Sequence, residues 1–161
     1  MKKIAVYFRN FFNLIPGSVF GLISFGVSLF THLLGVLLYP NYDMVNMPIS
    51  FLADGYAGII YRLGLIIAGI IAIPFCVYLG KSFKNDNSSE PIRKIALIGS
   101  IIYCISLVFV GYFWRSNSVV SFLHGFFAFL CWVDGLIFIA LFSVLMLKDV
   151  KFPKSLSYQQ I

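Results

Sequence analysis

Apolar residues fill this chain in four long blocks, at positions 16–39, 56–80, 95–114 and 119–147. The short segments between them carry most of the polar and charged side chains. A helix needs about 20 apolar residues to cross the hydrocarbon core of a bilayer, and each block reaches that length. The pattern therefore predicts one all-α transmembrane domain over residues 1–161, an integral membrane four-helix bundle. Short connections force neighbouring spans to run antiparallel, which gives an up-down-up-down arrangement. A closed bundle of that kind also places the first span beside the fourth.

Within the blocks, small residues mark the packing faces. Gly17, Gly21, Ser24 and Ser28 fall at steps of four, three and four on one stripe of the first span. Gly64, Ala68 and Gly69 play that part in the second span, and Ala128, Cys131 and Gly135 in the fourth. Small side chains let helix backbones approach closely where lipid supplies no hydrophobic drive between them. Pro74 lies inside the second span and is expected to bend it.

Composition agrees with lipid as the solvent. The chain is 60% hydrophobic and 11% charged, with a mean hydropathy of +0.94, against roughly 45–50% apolar and about 25% charged for a soluble domain. Tyr39, Tyr42, Tyr56, Tyr61, Tyr112 and Trp114 cluster near span ends, where amphipathic rings sit at the membrane interface.

The net charge of +6 is distributed for orientation rather than for nucleic acid. Lys2, Lys3 and Arg9 precede the first span, Lys81, Lys84, Arg93 and Lys94 lie in or beside the second connection, and Lys148, Lys151 and Lys154 follow the fourth span. The first connection has Asp43 and Asp54 and no basic residue, and the third has only Arg115. Basic residues mark the cytoplasmic side, so both termini are expected inside, in a multi-pass protein of the cell membrane. Met1–Arg9 resembles the basic start of a signal peptide, but the apolar run after it is too long and no small-residue cleavage site closes it. An uncleaved first span is expected, preceded by a short interfacial helix that presents Ile4, Phe8, Phe11 and Ile15. Cys76, Cys104 and Cys131 all lie within spans without metal-site spacing and read as packing residues.

Ionisable residues inside spans carry what functional signal there is. His32 stands a step of four beyond Ser28, and His124 begins the stripe of Ala128, Cys131 and Gly135. At the helical rise per residue, His32 lies about 10 Å, Arg62 about 9 Å and His124 about 7 Å from the outer ends of their spans. Asp54 and Arg115 are placed to cap such a cluster from the water side. Asp134 sits deeper, near mid-bilayer, with Tyr103 or Ser106 as its expected hydrogen-bond partner.

This constellation admits several chemistries. The plainest is structural: each polar group satisfies a neighbour, and the protein is a non-catalytic accessory or scaffold subunit that contacts lipids and other membrane subunits, with no cofactor and no nucleic acid. A b-type haem held between the imidazoles of His32 and His124 is one alternative. An outer-leaflet site for a lipid head group is another, with Arg62 pairing to a phosphate or carboxylate and Asp54 and Arg115 at its rim. Two histidines and one distant aspartate make a poor metal set. Ser50, His124 and Asp54 lack a strained nucleophile turn.

The segment Y-P-N-Y-D-M-V-N-M-P-I-S-F-L-A-D-G from Tyr39 to Gly55, the run R-L-G-L-I-I-A-G-I-I-A-I-P-F from Arg62 to Phe75, and L-H-G-F-F-A-F at Leu123–Phe129 together resemble the polytopic membrane family catalogued as domain of unknown function nine-nine-eight. More distantly they resemble the Frag/DRAM/Sfk group. The resemblance covers roughly Gly17–Leu147. It implies a polytopic helical fold, with a P-x-I-S-x-L-like loop before span two and a histidine opening a later span. Relatives usually carry about six spans, so this chain resembles a shortened member. It departs from the pattern at Arg62, where an asparagine is expected, and at Phe113-Trp114-Arg115-Ser116, where an F-P-x-D-like turn is expected.

Overall fold

The computed structural model describes residues 15–84, 89–114 and 117–149. Apart from Ile15, the expected interfacial helix falls on residues outside this set, and Arg115 lies outside it as well. Among the described residues four α-helices form the fold: α1 Gly17–Leu38, α2 Gly58–Ser82, α3 Glu90–Tyr112 and α4 Ser118–Lys148. Each is long and apolar enough to cross a membrane. A single turn of 3-10 helix, Ile49–Ala53, lies between α1 and α2.

Helix boundaries follow capping chemistry. The side chain of Asn117 accepts the Val120 amide at 2.9 Å and starts α4, as a short polar side chain does at an N-cap. Helix α3 begins five residues before the apolar block, at Glu90 rather than at position 95. Pro91 occupies its first turn, where the missing amide costs nothing. Glu90 there pairs with Arg93 at 2.7 Å. Arg93 also donates to the carbonyl of Gly80 at 2.8 Å, which satisfies an orphan acceptor at the end of α2. Pro74 sits inside α2 without ending it.

Each helix packs against its neighbours in sequence, α1 on α2, α2 on α3 and α3 on α4. Gly17 of α1 faces Tyr78 of α2, and Gly111 near the end of α3 faces the backbone of Arg62 near the start of α2. Helix α1 and helix α4 do not pack along one another, contrary to the closed bundle expected. Their small residues are used elsewhere. Gly21 faces Phe75, and the Ser24 hydroxyl donates to the Ala68 carbonyl at 2.9 Å, both on α2. Gly135 of α4 faces Tyr103 of α3 at 3.4 Å. The cavity between α1 and α4 is lined by the bulky Phe25, Leu29 and Trp132 together with the small Ser28, Ala128 and Cys131.

The α1 stripe also continues differently from the expectation. Thr31 and Gly35 are the buried residues of α1, so the small positions run 17, 21, 24, 28, 31, 35, a heptad spacing that keeps one seam against a partner helix. Thr31 meets Gly64 of α2. His32 stands one position round from that seam.

Two clusters anchor the ends. Phe83, Ala96, Phe142 and Leu145 pack where α2 ends and α3 begins. Leu52, Ala53 and Tyr61 pack at the other end, with Tyr39 and Trp114 against them. The second cluster is built by the loop: the 3-10 turn drives Leu52 to complete burial, 3.5 Å from the space a side chain at Gly35 would fill. Free Cys76 and Cys104 touch at 3.6 Å between α2 and α3, as packing residues.

Outside the helices, Asp43 holds the loop locally. Its carboxylate accepts from Asn46 Nδ2 at 2.6 Å and from the Val45 amide at 2.8 Å. The Asn46 side chain first, and the two backbone amides after it, hold its pKa below the ordinary carboxylate value. The turn these bonds form is retained at neutral pH and is lost as the pH falls through that lowered value.

Candidate functional site

Arg62 lies in the first turns of α2, and its surroundings define a small cavity of about 90 Å³. The 3-10 turn supplies Ser50 and Ala53, α4 supplies His124, and Trp114 follows α3. The guanidinium carbon of Arg62 sits 4.3 Å from the centre of the Trp114 ring, a cation–π stack that fixes the plane of the charge. Its Nε donates to the Gly58 carbonyl one turn back at 3.3 Å. Stacking and the Nε bond leave the forked pair of terminal nitrogens as the group that can meet an anion. Among the described residues the only ion pairs are those of Glu90 with Arg93 and Lys94. No carboxylate there answers the Arg62 charge.

His124 is held by the end of α3. Its Nδ1 lies 2.9 Å from the Phe113 carbonyl and 3.2 Å from that of Val110. Carbonyl oxygens only accept, so Nδ1 carries a proton and donates, and Nε2 is the nitrogen without such a bond. The arrangement closes off acceptors that a helix end leaves open. His124→Ala is expected to lower stability by about 1–2 kcal/mol, read as the midpoint of thermal unfolding in micelles. His124→Asn, which keeps an N–H donor, should recover part of the loss; an unchanged midpoint for the alanine variant would deny the capping role.

His32 does not line this cavity. It lines a larger one, of about 430 Å³, between α1 and α4, with its ring 6.3 Å from that of Tyr61. Tyr61, Leu65, Val110 and Ala128 contribute to both cavities, so the two adjoin. Neither cavity has both histidines in its lining, and a haem held by two imidazoles requires both in one pocket. Asp54 ends the 3-10 turn, is exposed and lines neither cavity. The Ser50–His124 pair therefore shares a cavity without the expected acid. Among the described residues no three metal-ligating side chains cluster.

Asp134 lies apart, about 24 Å along α4 from its first residue. Its Oδ2 is buried with no hydrogen-bond partner, so that oxygen has not found the expected Tyr103 or Ser106. Trp114, Tyr61 and the 3-10 turn are the parts of the site that sequence reasoning left out. Trp114 carried a signal only as an interfacial aromatic.

No family model, curated protein or solved structure matches the chain. What the four helices define is a small multi-pass membrane protein, an all-α four-helix bundle.

Proposed function

We propose that this is a non-catalytic membrane protein that binds the anionic head of a membrane amphiphile in the Arg62–His124 cavity. The observation that carries the proposal is the Arg62 guanidinium. It is stacked on Trp114, beside a cavity that adjoins a lipid-facing groove, and lacks an acidic partner among the described residues. A phosphate or carboxylate would supply that partner, with bidentate geometry. The distribution of the basic residues supports cytoplasmic termini, and on that reading this cavity lies in the outer leaflet of the cell membrane.

Arg62→Leu is the test. Native mass spectrometry of wild type should find bound anionic lipid, and the leucine variant should retain at least about tenfold less, the effect of losing one charge-assisted pair. Arg62→Lys keeps the charge without the fork and should fall between the two. Equal retention by wild type and Arg62→Leu would remove the proposal.

A role as an accessory subunit is the second reading, and the separation of α1 from α4 favours it. Both helices present apolar edges that the other described residues leave uncovered, with Phe25, Phe122, Phe129 and Trp132 all exposed. Those edges suit other membrane subunits. Co-purification with other membrane proteins after mild detergent extraction supports this reading; a chain that always elutes alone opposes it.

A further inference from the structure

The head-group cavity is the first of three that adjoin. Ile49, Tyr61, Leu65, Val110 and Ala128 belong both to it and to the 430 Å³ groove. Phe25, Ser28 and Leu107 belong both to that groove and to a third cavity of about 210 Å³. The third cavity continues along α2 past Ala72 and Phe75 as far as Leu79. At the helical rise, Arg62 to Leu79 is about 25 Å. The hydrocarbon core of a bilayer is about 30 Å thick, so one leaflet accounts for about 15 Å of it. Along this line the protein offers an apolar path that runs past the midplane, open to lipid where α1 and α4 fail to meet, with its only cationic side chain at one end.

Two magnitudes narrow the ligand. A head cavity of about 90 Å³ is room for a few waters at about 30 Å³ each. A single phosphate matches that space, and a bulkier head would have to extend beyond it. An acyl chain of an ordinary bilayer lipid ends near the midplane, because the two leaflets share the core thickness. Laid instead from Arg62, a chain of about 15 Å ends near Ala72 at the helical rise and leaves the far part of the third cavity, at Phe75 and Leu79, unfilled. The class of membrane amphiphile that combines a bare phosphate with a chain longer than one leaflet is the polyisoprenyl monophosphates. We infer that the three cavities form one site for a polyisoprenyl monophosphate, its phosphate on Arg62 and its chain laid along the groove between α1 and α4. This rests on the head-group proposal above and adds the identity of the chain.

The experiment measures affinity of the purified full chain in micelles for two probes, dodecyl phosphate and undecaprenyl phosphate, by native mass spectrometry with titration. Wild type should prefer undecaprenyl phosphate by about tenfold or more. Ala72→Phe narrows only the third cavity and should abolish that preference. Arg62→Leu should weaken both probes. If wild type binds the two probes equally, the chain-length inference is overturned and the head-group proposal stands; this arm needs no variant and is immune to misfolding of Ala72→Phe. Retention of phosphatidic acid in preference to both probes would likewise overturn it in favour of an ordinary two-chain lipid. Binding of neither probe nor phosphatidic acid would overturn the head-group proposal itself.

Discussion

Gly111→Ala is expected to destabilise the bundle by about 1–3 kcal/mol, the cost of forcing a methyl group into a packed interface. A Cβ at Gly111 would lie 2.6 Å from the Arg62 carbonyl oxygen and 2.9 Å from Ile66 Cγ1. The nearer of these is backbone, so no side-chain rotation relieves it and α2 and α3 must separate. Two other glycines make the internal control. A Cβ at Gly26 or at Gly125 meets nothing within 4 Å. Replacing glycine by alanine inside a helix is otherwise favourable by roughly 0.5–1 kcal/mol. The same chemical change should thus have opposite signs at two places in one molecule. Thermal unfolding in micelles reads both; a neutral Gly111→Ala would mean that α2 and α3 are not in the contact described. Because the obstructing oxygen belongs to Arg62, the variant should also weaken anionic-lipid retention.

Asp134→Leu is expected to act the other way, raising the unfolding midpoint by an amount equivalent to about 1–3 kcal/mol. The buried Oδ2 of Asp134 has no hydrogen-bond partner. Unfolding in detergent returns the carboxyl to water, so the folded state alone carries the desolvation cost of that oxygen. Leucine is of similar size, removes the cost and adds apolar contact near the middle of α4. A lower midpoint for the leucine variant would show that Asp134 makes a favourable interaction when the protein is folded. Retention of so costly a residue would in that case point to partnership with another membrane chain.

The spans were legible because length is an absolute criterion in lipid. Four apolar blocks predicted four helices, and three of them match to within two residues at each end. The start of α3 was missed because Ser89–Glu90–Pro91 has the composition of a loop, whereas proline in a first turn and the Glu90–Arg93 pair are the chemistry of a helix start. Bundle closure was not legible. A membrane helix is apolar on all sides, so hydrophobicity cannot separate a packed face from a lipid face; small residues can. They marked the α1–α2 seam, but a step of four from Ser28 led to His32 where the heptad leads to Thr31. At the site, the convergence of Arg62 and His124 followed from depth. The stack of Arg62 on Trp114 did not, since it joins positions far apart in sequence through a loop whose path no periodicity specifies. The carbonyl partners of His124 were likewise hidden, because they are backbone atoms of α3.

Among the four helices, α1 and α4 each pack along one helical neighbour, whereas α2 and α3 have two each. Both end helices are 11% buried over their apolar stretch, against 33% for α2 and α3. Apart from the 3-10 turn packed at its Gly35 end, the first helix is therefore joined to the rest along a line of small side chains, in the manner of a door on its frame. Swinging it outward about that line would widen the space beside α4 while leaving the α2–α3 and α3–α4 seams untouched, so a bulky lipid could enter sideways from the membrane without any helix having to unfold.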